Sequence, residues 1–310
     1  MIDVFIDGSA GTTGLRLYER LSGRNDLRIK TLSGDDRKSP AARREALNSC
    51  DVAFLCLPDD ASRESVSLTD DPNVTLIDTS TAHRTLSSWA YGFPELSPFH
   101  REKIKTSKRI AVPGCHASGF IALVYPLVAN KIISPDTALT CFSLTGYSGG
   151  GKKMIAEYES EKRDPLFSSP RQYGLSQQHK HLKEMKAIPG LSSEPIFCPV
   201  VADFYSGMEV TVPLFKKDLS ASYTANDIKN IYKSLYNGPL VKYNDSSDEA
   251  GFMSSSLLSG KDTMEVTVAG NDDRILLISR FDNLGKGASG AAIECLNVHI
   301  GLSDEYSLEL

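Results

Sequence analysis

The chain of 310 residues lacks both a hydrophobic run long enough to cross a membrane and a basic, cleavable N-terminal leader. Its longest nearly apolar stretch, 120–129, contains Tyr125 and Pro126 and falls far short of the roughly 20 residues that a bilayer requires. Positive charge is not in excess either, since 34 basic and 39 acidic side chains leave a net charge of −5. We therefore expect a cytoplasmic protein that acts on a small molecule, with neither a membrane nor a nucleic acid as its partner.

The six cysteines are scattered, with no CxxC pair and no histidine at the spacing of a zinc ligand, so no metal site is predicted. Disulfides are not expected in a cytoplasmic chain. Cys56 and Cys141 lie in apolar runs and are predicted to be small core residues. Only Cys115 has neighbours that suggest chemistry.

The first third of the chain alternates short apolar runs with segments of helical spacing. Strands are predicted at 3–7, 27–32, 51–57 and 74–78. Continuous apolar runs of this kind are typical of parallel strands buried on both faces, which predicts an α/β fold with a doubly wound, Rossmann-type parallel sheet.

The chain beyond residue 130 is richer in strands, which favours a second domain of the α+β type. A helix over 225–236 is predicted to begin after Thr224 as its N-cap. Helical spacing returns over 287–300. The further strands are predicted at 138–145, 197–201, 208–215, 264–269 and 274–281.

A glycine-rich segment follows the first predicted strand and opens the first predicted helix, as a phosphate-binding loop requires. Its spacing is G-x-x-G-x-x-G, and an ordinary glycine-rich turn is the alternative to a dinucleotide site. The candidate cofactor-binding residues of this loop are Gly8, Ser9, Ala10, Gly11, Thr12, Thr13 and Gly14.

The end of the second predicted strand favours NADP(H) over NAD(H). An NAD site usually has an acidic residue there for the ribose hydroxyls. Here Ser33 and Arg37 supply a hydroxyl and a cation suited to a 2′-phosphate, although Asp35 and Asp36 lie between them.

Cys115 follows Pro113-Gly114 and precedes an apolar helical run. A cysteine at a helix N-terminus is stabilised as thiolate by the helix dipole, so Cys115 is a candidate nucleophile; a structural loop cysteine is the alternative.

Histidines and an arginine supply the remaining candidates. His179 and His181 are candidate acid/base residues, and on a helix they would face in different directions, so that only one would reach the thiol. Glu184 lies three residues beyond His181 and could orient it. His83 and His116 are weaker candidates.

The segment after the fourth predicted strand lies at the sheet edge where α/β folds bind ligands. Arg84 there is a candidate clamp for a phosphate or carboxylate, with a surface arginine as the alternative.

These segments together resemble the family of N-acetyl-γ-glutamyl-phosphate reductases, within the larger semialdehyde dehydrogenase group. The resemblance runs nearly end to end, and the length is similar to that of the shorter of the family's two forms. It rests on the motifs GSAGTTG, DTSTAHR, YGFPEL, VPGCHASG, TGYSGGGKK, HKHLKE and NLGKGASGAAIECLN.

The resemblance implies a discontinuous NADP-binding domain, residues 1–114 and 286–310, and a domain of the semialdehyde dehydrogenase C-terminal type, residues 115–285. It implies NADPH-dependent reduction of an acyl phosphate through a thioester on Cys115, with His179 or His181 as acid/base. It further implies that Asn283 lies near the nicotinamide and that the chain forms a homodimer or homotetramer. Arg84 is expected to contact the phosphate, and Ser80 and Lys152 are further candidate substrate-binding residues.

The chain departs from the longer form of the family at two motifs. His116 stands where that form usually has tyrosine, and HKHLKE replaces an HRHTPE-like stretch. Pro94-Glu95-Leu96-Ser97 replaces the Pro-Glu-Val-Asn of aspartate-semialdehyde dehydrogenases, which favours the acetylglutamyl substrate.

Three alternatives remain open. The same reaction could act on an aspartyl or aminoadipyl phosphate. A non-catalytic NADP-binding sensor would need neither Cys115 nor the histidines, and a cysteine acyl hydrolase would leave the glycine-rich loop without a role.

Overall fold

The computed structural model describes residues 1–220 and 223–310, and the chain divides into two compact units. Within these ranges no helix combines the length and apolar character needed to span a membrane. Unit 1 comprises Met1–Pro94, Pro98–Gly114 and Ala288–Leu308. Unit 2 comprises Glu95–Ser97, Cys115–Gly287 and Glu309–Leu310.

Unit 1 is built on an all-parallel sheet with the strand order β2-β1-β3-β4-β6-β5. The four predicted strands are present, with limits at most two residues from those predicted, while two very short strands were not predicted. The strands are β1 (Ile2–Asp7), β2 (Leu27–Lys30), β3 (Val52–Leu55), β4 (Thr75–Asp78), β5 (Ala90–Tyr91) and β6 (Arg109–Ala111).

Helices cover both faces of this sheet, which confirms the doubly wound fold. Alternate residues of β1 point to opposite faces: Ile6 packs in a core with Leu17 and Leu296, whereas Phe5 packs in a second core with Leu47. The helices of this unit are α1 (Thr12–Leu21), α2 (Pro40–Asn48), α3 (Asp59–Leu68), α4 (Pro98–Thr106) and the C-terminal Gly290–Ile300.

Unit 2 contains a mixed sheet with the order β11-β12-β13-β10-β7-β9-β8. All five strands predicted beyond residue 130 are present, and the two edge strands were not predicted because they span only two or three residues. The strands are β7 (Thr140–Gly146), β8 (Arg171–Gln172), β9 (Ile196–Ala202), β10 (Met208–Phe215), β11 (Val241–Tyr243), β12 (Met264–Gly270) and β13 (Arg274–Phe281).

One face of this sheet is covered by helices, of which α5 (Cys115–Ala129) is the most buried. The predicted helix after Thr224 is confirmed, and Thr224 and Asp227 form a reciprocal capping box at its start. Its Tyr236 hydroxyl donates to the Ala122 carbonyl of α5 at 2.6 Å. The helices are α5 (Cys115–Ala129), α6 (Gly151–Glu159), α7 (Leu182–Ala187) and α8 (Ala225–Leu235); the C-terminal helix of unit 1 is therefore α9.

The opposite face of the same sheet carries several large, exposed apolar side chains. Strand register places Phe142 of β7 beside Thr211 of β10, and Thr211 beside Ile278 of β13, so these residues share one face. The large exposed side chains on this face are Phe142, Ile196, Phe215 and Leu276.

The close approach of α5 to its sheet depends on Gly119. A Cβ atom there would lie 2.5 Å from Val210 Cγ2 and 2.7 Å from Ser279 Oγ. We expect Gly119→Ala to lower the free energy of unfolding by about 1–3 kcal/mol, because the helix must move away from β10 and β13. Urea unfolding measures this, with Gly23→Ala as the control because nothing lies within 4 Å of a Cβ atom at that position. Equal stability of the two variants would contradict this packing.

Candidate active site

The glycine-rich loop of unit 1 packs directly against the end of β3. Gly8 has a φ of +86°, and a Cβ atom on it would lie 2.3 Å from the Cys56 carbonyl oxygen. A Cβ atom on Gly14 would lie 2.3 Å from the Gly8 carbonyl oxygen. Since β1 has β2 on one side and β3 on the other, the loop lies at the topological switch point, where open α/β sheets bind ligands.

The start of α1 fits the pyrophosphate of a dinucleotide. Gly11 is its N-cap and makes no side-chain capping hydrogen bond. Because the first backbone N–H groups of a helix have no intrahelical acceptor, a helix start of this kind is suited to an anion. The Gly11 N–H closes the turn on the Gly8 carbonyl at 2.9 Å. Ser9, Ala10, Thr12 and Thr13 belong to the same turn and first helical residues, so the predicted segment is one continuous loop at the start of a helix, as anion-binding loops are.

Ser33 and Arg37 are exposed; Ser33 precedes a short 3₁₀ turn after β2, and Arg37 lies within that turn. Arg37 Nε donates to the Gly34 carbonyl at 3.3 Å. Because β2 runs parallel to β1, this turn follows the same sheet edge as the glycine-rich loop. Asp35 and Asp36 lie in the turn between the two candidates.

The segment after β4 is held by a buried carboxylate. Asp78 accepts from Ser80 Oγ at 2.7 Å and is paired with His83 Nδ1 at 2.6 Å. Arg84 is buried, and its Nε and Nη2 donate to the Val112 and Thr79 carbonyls at 2.8 and 2.9 Å. The guanidinium therefore holds the backbone at Val112, three residues before Cys115 in the chain.

Cys115 is the first residue of α5, as predicted, and it is partly exposed. A Cβ atom on Gly287 would lie 3.0 Å from the Cys115 Cβ, so glycine leaves room for the cysteine at this point. Burial raises the pKa of the Cys50 and Cys56 thiols to about 12, which keeps them protonated.

Three histidines form a cluster in unit 2: His116, which follows Cys115 in the chain, and His179 and His181. The ring centroid of His116 lies 5.6 Å from those of both His179 and His181, which are 4.7 Å from each other. Phe197 packs edge-on against His116 and His179. Both candidate histidines precede α7 in a turn, so the helical arrangement that would separate them does not apply.

Two of these histidines are neutral at pH 7. Burial, with smaller contributions from His179 and Lys180, lowers the pKa of His116 to about 3. Burial and Lys180 lower the pKa of His179 to about 4. His179 Nδ1 accepts from the His181 backbone N–H at 3.2 Å, so the proton of the neutral ring is on Nε2.

Sequence reasoning missed two residues that contact His116. Its Nδ1 lies 2.7 Å from Ser143 Oγ, and its Nε2 lies 2.6 Å from the Tyr173 hydroxyl. No local motif could have identified Ser143 or Tyr173, because β7 and the segment after β8 reach His116 only through tertiary packing. His116 itself was only a weak candidate, on its position next to Cys115.

Asn283 and Lys152 lie in other parts of unit 2. Asn283 is buried; its Oδ1 accepts from the Gly207 N–H at 2.9 Å, and its Nδ2 donates to Ser148 Oγ at 3.0 Å. It thereby joins the turns at the ends of β7 and β9. Lys152 is exposed on α6.

The depressed pKa of His116 predicts a loss of stability in mild acid. Between pH 6.5 and about 3 the unfolded state holds one more proton at this residue than the folded state does, so the free energy of unfolding falls as pH falls. From pH 6 to pH 5 we expect His116→Gln to lose about 1 kcal/mol less than wild type. Urea unfolding at the two pH values measures this, and an identical loss in both proteins would contradict a neutral His116.

Comparisons with known proteins agree with the division into two units. Residues 3–107 match the family described as the semialdehyde dehydrogenase NAD binding domain. Residues 115–283 match the family described as the semialdehyde dehydrogenase dimerisation domain. Unit 1 is thus a nicotinamide dinucleotide-binding domain.

Solved structures share this fold at low sequence identity. Aspartate semialdehyde dehydrogenase II from Vibrio cholerae superposes with a TM-score of 0.73 at 16% identity, covering 97% of this chain and 99% of its own. Aspartate semialdehyde dehydrogenase with NADP from Candida albicans gives 0.69 at 15%, covering 96% and 98%.

Curated relatives are much closer in sequence. N-acetyl-γ-glutamyl-phosphate reductase 2 of Nostoc sp. (strain PCC 7120) is 42% identical over 98% of both chains. The N-acetyl-γ-glutamyl-phosphate reductase of Sinorhizobium medicae is 41% identical over 95% of this chain and 97% of its own. With identity at this level along nearly the whole length, the chain belongs to the N-acetyl-γ-glutamyl-phosphate reductase family of semialdehyde dehydrogenases.

Proposed function

We propose that this protein catalyses the NADPH-dependent reduction of N-acetyl-γ-glutamyl phosphate to N-acetylglutamate 5-semialdehyde and phosphate, a cytoplasmic step of arginine biosynthesis. The observation that carries the proposal is Cys115 at the start of α5 with a cluster of three histidines beside it. The full-length similarity to reductases of this substrate supports it.

Cys115 is the proposed nucleophile. The N-terminus of α5 favours its thiolate, and the N–H groups of the same turn stabilise the oxyanion that forms when the thiolate attacks the acyl carbonyl. The C–O bond to phosphate then breaks, which leaves a thioester on Cys115. NADPH, when bound, supplies the hydride that reduces this thioester. Cys115 finally leaves the hemithioacetal as thiolate, and the aldehyde forms.

His181 is the proposed acid/base, with His179 as its positioning partner. The neutral His179 ring uses Nδ1 to accept from the His181 backbone and carries its proton on Nε2, so it lacks a nitrogen ready to accept a proton. His181 is buried in the same cluster at the start of α7. A positioned acid/base of this kind contributes about 10²–10⁴ in rate.

The cofactor is proposed to be NADP(H). The loop from Gly8 to Gly14 would hold the pyrophosphate, and Ser33 and Arg37 at the carboxyl end of β2 would hold the 2′-phosphate. Asn283 is proposed to lie near the nicotinamide, as in the family.

Arg84, Ser80 and Lys152 are proposed to bind the anionic substrate. Arg84, whose guanidinium donates to the Val112 and Thr79 carbonyls, would contact the phosphate.

The protein is proposed to form a homodimer through the sheet face of unit 2 that carries the large exposed apolar side chains. This face carries Phe142, Ile196, Phe215 and Leu276, each more than one-third exposed. An apolar surface of this extent on a sheet favours burial against a second copy, and a homotetramer would need a further interface.

The substrate and the nucleophile are tested in the reverse direction, by NADP⁺ reduction at alkaline pH with N-acetylglutamate 5-semialdehyde and phosphate. We expect phosphate-dependent NADPH formation in wild type and a loss of at least about 10³-fold in Cys115→Ser, because a serine hydroxyl is far less ionised than a thiol. Cys50→Ser is the matched control. Full activity in folded Cys115→Ser would exclude the thioester mechanism.

The same assay separates the alternatives. Higher activity with aspartate semialdehyde or an aminoadipyl semialdehyde would change the substrate but not the reaction. Cofactor binding without activity on any semialdehyde would indicate a sensor, and phosphate-independent hydrolysis of acyl substrates would indicate an acyl hydrolase.

Removal of the Arg37 cation tests the cofactor preference. We expect Arg37→Ala to raise the KM for NADP⁺ about 10-fold, the cost of one charge-assisted hydrogen bond, and to leave the KM for NAD⁺ unchanged. Arg44→Ala on α2 is the control, because Arg44 pairs with Asp70 on the surface. If Arg37→Ala changed neither KM, Arg37 would have no role in binding the 2′-phosphate.

A further inference from the structure

Strand β9 has a partner strand on its β8 side for only part of its length. β8 pairs with β9 through Arg171 and Gln172, and the Tyr173 N–H adds one further bond, to the Pro199 carbonyl at 3.0 Å. The chain then turns at Gly174, which has a φ of +64°. The pairing with β8 therefore stops before it reaches the first residues of β9.

The side chain of Gln177 takes the place of a strand at this point. Its Oε1 accepts from the Phe197 N–H at 2.9 Å, and its Nε2 donates to the Phe197 carbonyl at 2.7 Å. A primary amide offers an acceptor and donors side by side, so it bonds both backbone groups of one residue as the backbone of a neighbouring strand would. These two bonds are called the Gln177 clamp below.

The backbone of Gln177 is held in an unfavourable conformation. Its φ is +56°, in the left-handed region, which is costly for a residue with a Cβ atom. Its N–H closes a turn on the Gly174 carbonyl at 3.0 Å. Strained residues of this kind persist where their surroundings hold them, and they are concentrated at functional sites. Gln177 stands two residues before His179, which gives the strain a place next to the histidine cluster.

The residue that Gln177 holds is itself a wall of that cluster. The Phe197 ring is 1% exposed and packs edge-on against His179 and His116, with ring centroids 5.1 and 5.2 Å apart. His179 Nδ1 in turn accepts from the His181 backbone N–H at 3.2 Å. The clamp therefore ties the chain just before the two histidines to the strand against which one of them packs.

We propose that Gln177 is a positioning residue for His179 and His181, acting through its clamp on Phe197. The clamp fixes where the turn before α7 begins, and thereby where both imidazoles lie. The proposal rests on the proposed function, in which His181 is the acid/base, and it adds the residue that holds this pair in place. A misplacement of about 1 Å can lower the rate of a catalysed step by about 10²-fold.

The titration of His179 tests the clamp without any substrate. Burial, with a smaller contribution from Lys180, lowers its pKa to about 4, so its ring is expected to stay neutral above about pH 5 in wild type. In Gln177→Met, which has a similar length but cannot form the clamp, we expect water to reach the ring and its pKa to rise from about 4 toward 6.5. The other titratable groups around the ring are His116 of α5, Tyr173 after β8 and His181 of the same turn.

NMR of the full-length protein labelled at histidine Cε1 measures this titration between about pH 5 and 8. The signal of His179 is assigned from its absence in His179→Gln. Gln178→Met is the matched control, because Gln178 is the exposed next residue. Circular dichroism establishes that each variant is folded. A His179 ring that stays neutral above pH 5 in Gln177→Met would overturn the proposal.

Gln177→Gly separates the clamp from the backbone strain. Glycine adopts a positive φ without a steric penalty but has no amide for Phe197, so we expect the His179 pKa to rise as in Gln177→Met. A wild-type titration in Gln177→Gly would mean that the backbone conformation alone places the histidines, and this result would overturn the clamp. This variant also keeps the test open should Gln177→Met fail to fold.

Kinetics then show whether the clamp acts on the reaction. With N-acetylglutamate 5-semialdehyde, phosphate and NADP⁺, we expect Gln177→Met to lower kcat about 10-fold and to leave the KM for NADP⁺ within about twofold of wild type. The cofactor KM is expected to stay the same because the glycine-rich loop belongs to unit 1. An unchanged kcat together with a shifted His179 titration would make the clamp a structural contact only and would overturn the positioning role.

These outcomes are distinct from a failure of the proposed function. If wild type reduced no acyl phosphate, the proposed function would be wrong, and the His179 titration would still decide whether Gln177 positions the histidines. If wild type acted on a different acyl phosphate, the same comparison of kcat would be made with that substrate.

Discussion

The packing of α5 onto the sheet of unit 2 is the constraint on which the candidate site depends. The helix has an almost continuous run of buried side chains, and Gly119 brings its backbone against Val210 and Ser279. A helix held this tightly fixes the position of its first residue, Cys115. Because protein interiors are close-packed, small displacements of such a helix are costly, and the thiol therefore has a defined position.

The electrostatics of the site follow from the same burial. Desolvation keeps His116 and His179 neutral, since a buried imidazolium without a carboxylate partner is unfavourable. Neutral rings act as oriented donors and acceptors rather than as charges, and their tautomers are set by neighbouring groups.

The parts of the fold that could be predicted from sequence were those determined locally. Apolar runs such as that of β1 identify buried strands, and glycines at positions 8 and 14 mark a turn whose backbone leaves no space for a Cβ atom. Thr224 and Asp227 define a helix start by their own side chains. Two-residue strands such as β5 and β8 could not be predicted, because so short a run has no periodicity.

A residue of the candidate site could be predicted only where the sequence motif and the reactive side chain lie in the same segment of the chain. Cys115 was identified because the Pro-Gly turn and the helix start adjoin it in sequence. Tyr173 and Ser143 were missed because they meet His116 only when β7 and the segment after β8 fold over α5. The turn that brings His179 beside His181 was likewise not predicted, because residues two apart on a helix face in different directions.

The central claim is that Cys115 forms a covalent acyl intermediate, and intact-protein mass spectrometry tests it most directly. Wild type is mixed with N-acetyl-γ-glutamyl phosphate in the absence of nicotinamide cofactor and quenched in acid. The account predicts one added N-acetylglutamyl group per chain, located on Cys115 by peptide mapping, released by hydroxylamine and absent in Cys115→Ser. An unmodified wild type that nevertheless turns over with NADPH, or an acyl group on another residue, would contradict it.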